Sequence, residues 1–142
     1  MGGGYGMTFA AGLIDQGKYE EAIVAATKAI EGGDAGPEPF ADRAAALDGL
    51  ERYAEAAEEY ERALVLNTTH RCLDQDVLDD AYFSALVAAA KDDAESSAAA
   101  GVQRLDRYAS AMPRGRHVAD AGDWKKRLKG EMPSLLDKTR EM

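Results

Sequence analysis

The chain has 142 residues with 17 Lys or Arg against 26 Asp or Glu, a formal net charge of −9, and one cysteine, Cys72. That length is one domain with a core of its own, and an alanine-dominated composition with Glu, Asp, Leu, Lys and Arg excludes a sheet protein in favour of an all-α one. No apolar run is long enough to cross a bilayer, no signal-peptide stretch follows Met1 to Gly6, and a lone cysteine forms no internal disulfide, so a cytoplasmic protein is expected. Gly2 does not begin a myristoylation signal, because residue 6 is Gly where Ser or Thr is expected. The charge is uneven: residues 1–70 hold 5 basic against 13 acidic residues, residues 71–112 hold 4 against 8, and residues 113–142 hold 8 against 5. An acidic body repels nucleic acid and anionic membrane and favours a basic partner, although most acidic surfaces serve solubility alone.

In chain order, Thr8 to Gln16 reads as a short helix with Phe9, Ala10 and Leu13 on one stripe. Gly17-Lys18 breaks it. Tyr19 to Glu31 then carries Ala22, Ile23, Ala26, Ala29 and Ile30 at helical spacing, and Gly32-Gly33-Asp34-Ala35-Gly36-Pro37 stops that helix and opens the next. The scheme repeats with Phe40, Ala44 and Leu47, a turn near Glu51-Arg52, and then Tyr53, Ala56, Ala57, Tyr60, Ala63 and Leu64. Residues 3–36 and 37–70 are therefore two copies of one unit, matched at Ala10 and Ala44, Leu13 and Leu47, Tyr19 and Tyr53, Ala22 and Ala56, and Ala29 and Ala63. Ala22 and Ala56 allow close helix approach, and Tyr19 and Tyr53 fill the gap at the turn.

Beyond His70 the match fades but helical periodicity persists. Asp74 to Lys91 predicts one helix with Val77, Leu78, Ala81, Ala85, Leu86 and Ala89 inward, and Ala94 to Met112 predicts another along Gly101, Leu105 and Tyr108. These form a diverged third pair over residues 71–112. Pro113-Arg114-Gly115-Arg116 ends it, and residues 113–142 provide a capping helix from about Val118, with Val118, Ala121, Trp124, Leu128 and Met132 on one face and Lys125, Lys126, Arg127 and Lys129 outward. Ser134 starts a last short turn with Leu135 and Leu136.

Gly17-x-Tyr19-x-x-Ala22 followed by Ala29, and Tyr53-x-x-Ala56 followed by Tyr60 and Ala63, resemble the tetratricopeptide repeat, whose unit is a helix-turn-helix of this length. The resemblance covers residues 3–70 and implies an all-α solenoid of about three helical pairs. The copies depart from the family pattern at Gly6, where the early aromatic seen as Phe40 is missing, at Glu51, which replaces Gly17, and at Thr68, where a proline often closes the unit.

Catalytic and metal chemistry is not expected. His70 and Cys72 lie close together, but the only other histidine is the remote His117, too few ligands for structural zinc and no ready base for a nucleophile. Asp74-Gln75-Asp76-Val77-Leu78-Asp79-Asp80 has Leu78 where a calcium loop needs oxygen, so Asp74 is read as a helix cap. Gly2-Gly3-Gly4-Tyr5-Gly6 lacks the spacing of a phosphate cradle, and the basic residues from Arg114 to Lys129 are too interrupted for a nucleic-acid contact.

The resemblance implies a concave groove lined by first helices: Met7, Ala11, Ile14 and Asp15 from the first copy, then Glu38, Ala41, Asp42, Ala45 and Asp48 from the second. If the third pair keeps register, it adds Asp79, Tyr82 and Phe83. Members of the family that clamp a terminal carboxylate use Lys, Arg and Asn on these faces, none of which stands here. The expected function is a protein-protein interaction module, an adaptor or scaffold without enzyme activity or cofactor, that receives a basic peptide or protein segment. The alternative is a self-associating scaffold, a homodimer in which a second subunit covers the exposed end of an incomplete solenoid.

Overall fold

A computed structural model of the protein describes residues 8–131. All regular structure among them is helical: α1 Phe9–Asp15, α2 Tyr19–Glu31, α3 Glu38–Gly49, α4 Tyr53–His70, α5 Gln75–Ala94, α6 Ala98–Ala111 and α7 Val118–Leu128. None of these helices is long and apolar enough to cross a membrane. The chain divides into two compact units, one through Ala85 and one from Leu86, with α5 contributing to both.

In the first unit, α1 and α2 form one hairpin and α3 and α4 a second, with α3 packed on both α1 and α2. Thr8 caps α1 by accepting the Ala11 N–H at 2.9 Å. The α1–α2 turn is closed by Gln16 and Lys18 N–H groups donating to the Leu13 carbonyl at 3.1 and 2.8 Å and by Gly17 N–H donating to the Ile14 carbonyl at 2.9 Å. One period later, Leu50 and Arg52 donate to the Leu47 carbonyl at 3.1 and 2.9 Å, and Glu51 to the Asp48 carbonyl at 2.9 Å. The repeat is thus present in the backbone bond by bond. Its central residue is left-handed in both turns, Gly17 at φ 75° and Glu51 at φ 61°. For glycine that conformation is free of Cβ conflict, whereas for Glu51 it stores about 1 kcal/mol of strain.

Alanines bring these helices together. Ala22, Ala44, Ala46, Ala56 and Ala63 are fully buried, and one cluster joins Ala10, Leu13, Ala22, Ala26 and Ala46 with Ile14, Tyr19, Ile23 and Ala25 at its margin. The Tyr19 ring lies against Gly49 so closely that a Cβ there would come within 2.5 Å of it, which is the filled gap expected at this turn. Arg43 ties three helices: its guanidinium donates twice to Glu59 Oε1 on α4, at 3.1 and 2.7 Å, and once to Thr27 Oγ1 on α2, at 3.2 Å, and it lies 5.6 Å from the Phe40 ring centre. Glu59 is almost fully buried, and its charge is offset by Arg43 on one carboxylate oxygen and by Arg62 Nη1 at 3.3 Å on the other.

The loop from α4 to α5 is held by Asn67, which is 2% exposed. Its Nδ2 donates to the Leu73 carbonyl at 2.8 Å and to Gln75 Oε1 at 2.7 Å, while its Oδ1 accepts the Leu73 N–H at 2.9 Å. Asp74 then caps α5, its Oδ1 accepting the N–H groups of Asp76 and Val77 at 2.9 and 3.3 Å. A strict third copy would turn near Ala85, but α5 continues through that position to Ala94. Its inward stripe also differs from the expected one. Leu78, Asp79, Tyr82, Phe83, Ala85, Leu86, Ala89 and Ala90 are buried, and Val77 points the other way at 62% exposure.

In the second unit α6 begins at Ala98 rather than Ala94, because the chain turns through residues 95–97 and Ser97 caps the new helix by accepting the Ala100 N–H at 3.4 Å. Leu86, Ala89, Ala90, Leu105, Tyr108 and Ala121 are buried here, and α6 packs against α7. The expectation that the α7 cations all face outward is corrected. Lys125 pairs with Asp106 on α6 at 2.9 Å, and Arg127 lies over the Trp124 ring at 5.0 Å with Lys91 at 5.3 Å. Val118, expected inward, is exposed in the first turn of α7. Met132, Ser134, Leu135 and Leu136 lie outside the described residues.

Candidate interaction surface

The residues expected on the first helices separate into two groups. Ala11, Ile14, Glu38, Ala41, Asp42, Ala45 and Asp48 are half-buried and Asp15 is exposed, which places them at the surface of α1 and α3. Asp79, Tyr82 and Phe83 are at most 8% exposed, so the three do not offer surface anchors. The physical reason is the rotated stripe of α5, which turns these positions into the core; Tyr82 donates its hydroxyl proton to Glu61 Oε1 on α4 at 3.0 Å. Met7 lies outside the described residues.

The carboxylates differ in their engagement. Thr8 Oγ1 donates to Asp42 Oδ2 at 2.6 Å, joining the start of α1 to α3. Burial raises the Asp42 pKa, the Thr8 hydrogen bond opposes that rise, and Glu38 and Asp34 add to it. Asp48 is likewise raised by burial, and its carboxylate has no hydrogen bond or ion pair among the described residues. Its charge reinforces burial in pushing the Tyr60 hydroxyl far above the ordinary tyrosine range. Glu38 stands near Cys72. Partial desolvation, followed by the charge and hydrogen bonding of Glu38 and the charge of Asp34, pushes that thiol up and keeps it protonated. His70 is exposed at the end of α4. Among the described residues no three His, Cys, Asp or Glu side chains are arranged to hold a metal.

Two grooves were not anticipated. The larger, about 470 Å³, runs between α1 and α2 and is lined by Phe9, Leu13, Glu21, Val24, Ala25 and Lys28. Phe9, expected with Ala10 and Leu13 on one stripe, is 78% exposed here, since it sits on the edge of α1 that no other helix of its unit covers. The second groove, about 300 Å³, is lined by Phe40, Glu61, Arg62, Val65 and Leu66 on α3 and α4. A signal for the first was present in the mismatches between copies, where Phe9 aligns with Arg43 and Val24 with Glu58.

Comparison of the chain with protein-family models, with curated proteins and with solved structures finds no match.

Proposed function

We propose that the protein is a tetratricopeptide-like helical-repeat module that binds a basic peptide or protein segment on the face formed by α1 and α3, without catalysis. The observation that carries this reading is Asp48, a half-buried carboxylate on α3 with no hydrogen bond or ion pair among the described residues. A lysine or arginine donated from outside would relieve the cost of its burial and gain a charge-assisted hydrogen bond. Glu38 extends the same sign of potential along α3, and Ala11, Ala41 and Ala45 between the carboxylates let a ligand backbone approach closely. The shared turn geometry of the two hairpins supports a stack in which first helices recur on one side. The protonated Cys72 thiol and the exposed His70 favour binding over covalent chemistry.

The test is recovery of lysate partners by wild type and by the Glu38→Lys, Asp48→Lys double variant at low salt. This pair leaves the Thr8–Asp42 hydrogen bond intact. Basic partners should be lost from the variant and weakened for wild type as salt rises, and unchanged recovery would sink the acidic-face reading.

A further inference from the structure

The outer edge of the first hairpin is apolar where the matching edge of the second is charged. A contiguous exposed apolar patch on a small domain marks a surface that a partner covers. Here Phe9 and Val24 stand exposed over a groove floored by Leu13 and Ala25. The corresponding positions of the second hairpin are Arg43, Glu58, Leu47 and Glu59, three of the four charged.

We propose that this groove is closed by the same groove of a second copy of the chain, in a two-fold dimer with α2 antiparallel to α2. The charge pattern of α2 specifies that occupant. Glu21 and Lys28 flank Val24 and Ala25, and Lys18 and Glu31 lie one turn further out on either side. At 100° per residue Glu21, Val24, Lys28 and Glu31 share the half of the helix opposite the buried Ala22 and Ala26, with Ala25 at its margin and Lys18 in the cap just before the helix. An antiparallel pairing centred between Val24 and Ala25 sets Glu21 against Lys28 of the second copy, and Lys18 against its Glu31. The two-fold axis repeats each contact, so complementary charges ring the apolar centre on both sides. A parallel pairing would instead oppose Glu21 with Glu21 and Lys28 with Lys28, which disfavours it. None of the four charged side chains has an ion pair or hydrogen bond among the described residues of its own chain, so all four are available. The edge is self-complementary, a property that an unrelated partner would not require. This dimer shares α1 with the basic-ligand face, but its groove residues and charge contacts are Phe9, Leu13 and α2 rather than Glu38 and Asp48, so the two are tested by different substitutions.

The experiment is sedimentation equilibrium of the full chain across a concentration series, with four proteins: wild type, Glu21→Lys, Lys28→Glu, and the double charge swap. Wild type should rise from the 15.2 kDa of one chain toward twice that mass. Each single reversal places two like-charge contacts in the symmetric interface and should raise the dimer dissociation constant by at least about tenfold. The double swap restores complementarity and should return the constant to near the wild-type value. All these positions are exposed, so circular dichroism should report unchanged helix content throughout. A wild-type mass of one chain at every concentration overturns the proposal. So do single reversals that dimerise as wild type does, or a double swap that stays monomeric.

Discussion

The α1–α2 and α3–α4 hairpins share their turn hydrogen bonds, their left-handed turn residue and their buried alanines, yet they treat equivalent positions in opposite ways. Where the second hairpin has Arg43 locked between Glu59 and Thr27, the first has Phe9 in solvent. Where the second has Gly49 under the Tyr19 ring, the first has Asp15 exposed. Where the first turns on Gly17, the second turns on Glu51. The 34-residue period records what the backbone and the helix seam require. Departures from it record where each hairpin stands, and they hold the surface chemistry.

The largest effect should come from Arg43→Ala, which leaves the buried Glu59 carboxylate with only the 3.3 Å contact from Arg62 and should cost about 3 kcal/mol in urea denaturation. The matched Phe9→Ala change should move monomer stability by less than about 0.5 kcal/mol, and equal costs at the two positions would erase the contrast between interior and edge. Next, Gly49→Ala drives a methyl into the Tyr19 ring and should cost about 2 kcal/mol, against near neutrality for Asp15→Ala at the equivalent site. Smaller and opposite in sign, Gly17→Ala should destabilise by about 1 kcal/mol while Glu51→Gly stabilises by about 0.5 kcal/mol, as read from thermal midpoints. If both substitutions shift stability the same way, the two turns are not equivalent.

The smallest effect concerns pH. The folded-state pKa of Asp48 is raised above its ordinary 3.8, so in the window just above that value the folded protein binds more protons than the unfolded chain. Stability therefore falls as pH rises through this window. Asp48→Asn should remove part of that slope and raise stability at neutral pH, measured by denaturant titration between acid and neutral conditions.

Helix α2 was legible to the residue because Ala22, Ile23, Ala26, Ala29 and Ile30 keep one face and a glycine run ends it. Asp74 was legible as a cap for an equally local reason, its side chain bonding to N–H groups two and three residues on. Helix α5 was legible as a helix but not in orientation. Val77, Leu78, Ala81, Tyr82, Phe83 and Leu86 surround it on nearly all sides, so periodicity alone does not choose the buried face, and Asp79, Tyr82 and Phe83 were placed on the surface in error. The Tyr82 hydroxyl, bonded to Glu61 on α4, belongs to the face that is buried. The groove at Phe9 went unseen for a related reason: Phe9, Ala10 and Leu13 share a stripe, but how deeply each is covered depends on which neighbours exist, and Phe9 remains 78% exposed while Ala10 and Leu13 are buried.

The Asn67 side chain gives the short loop after α4 a partner for both backbone groups of Leu73. Amide hydrogens exchange with solvent deuterium only when their bonds open, and loops usually exchange within the fastest class. Leu73 should be an exception, its amide exchanging as slowly as those in the middle of α4. An Asn67→Ala change would remove the acceptor of the Leu73 N–H together with the donor to the Leu73 carbonyl, releasing that one amide to the fast class and marking the loop as the first segment to open.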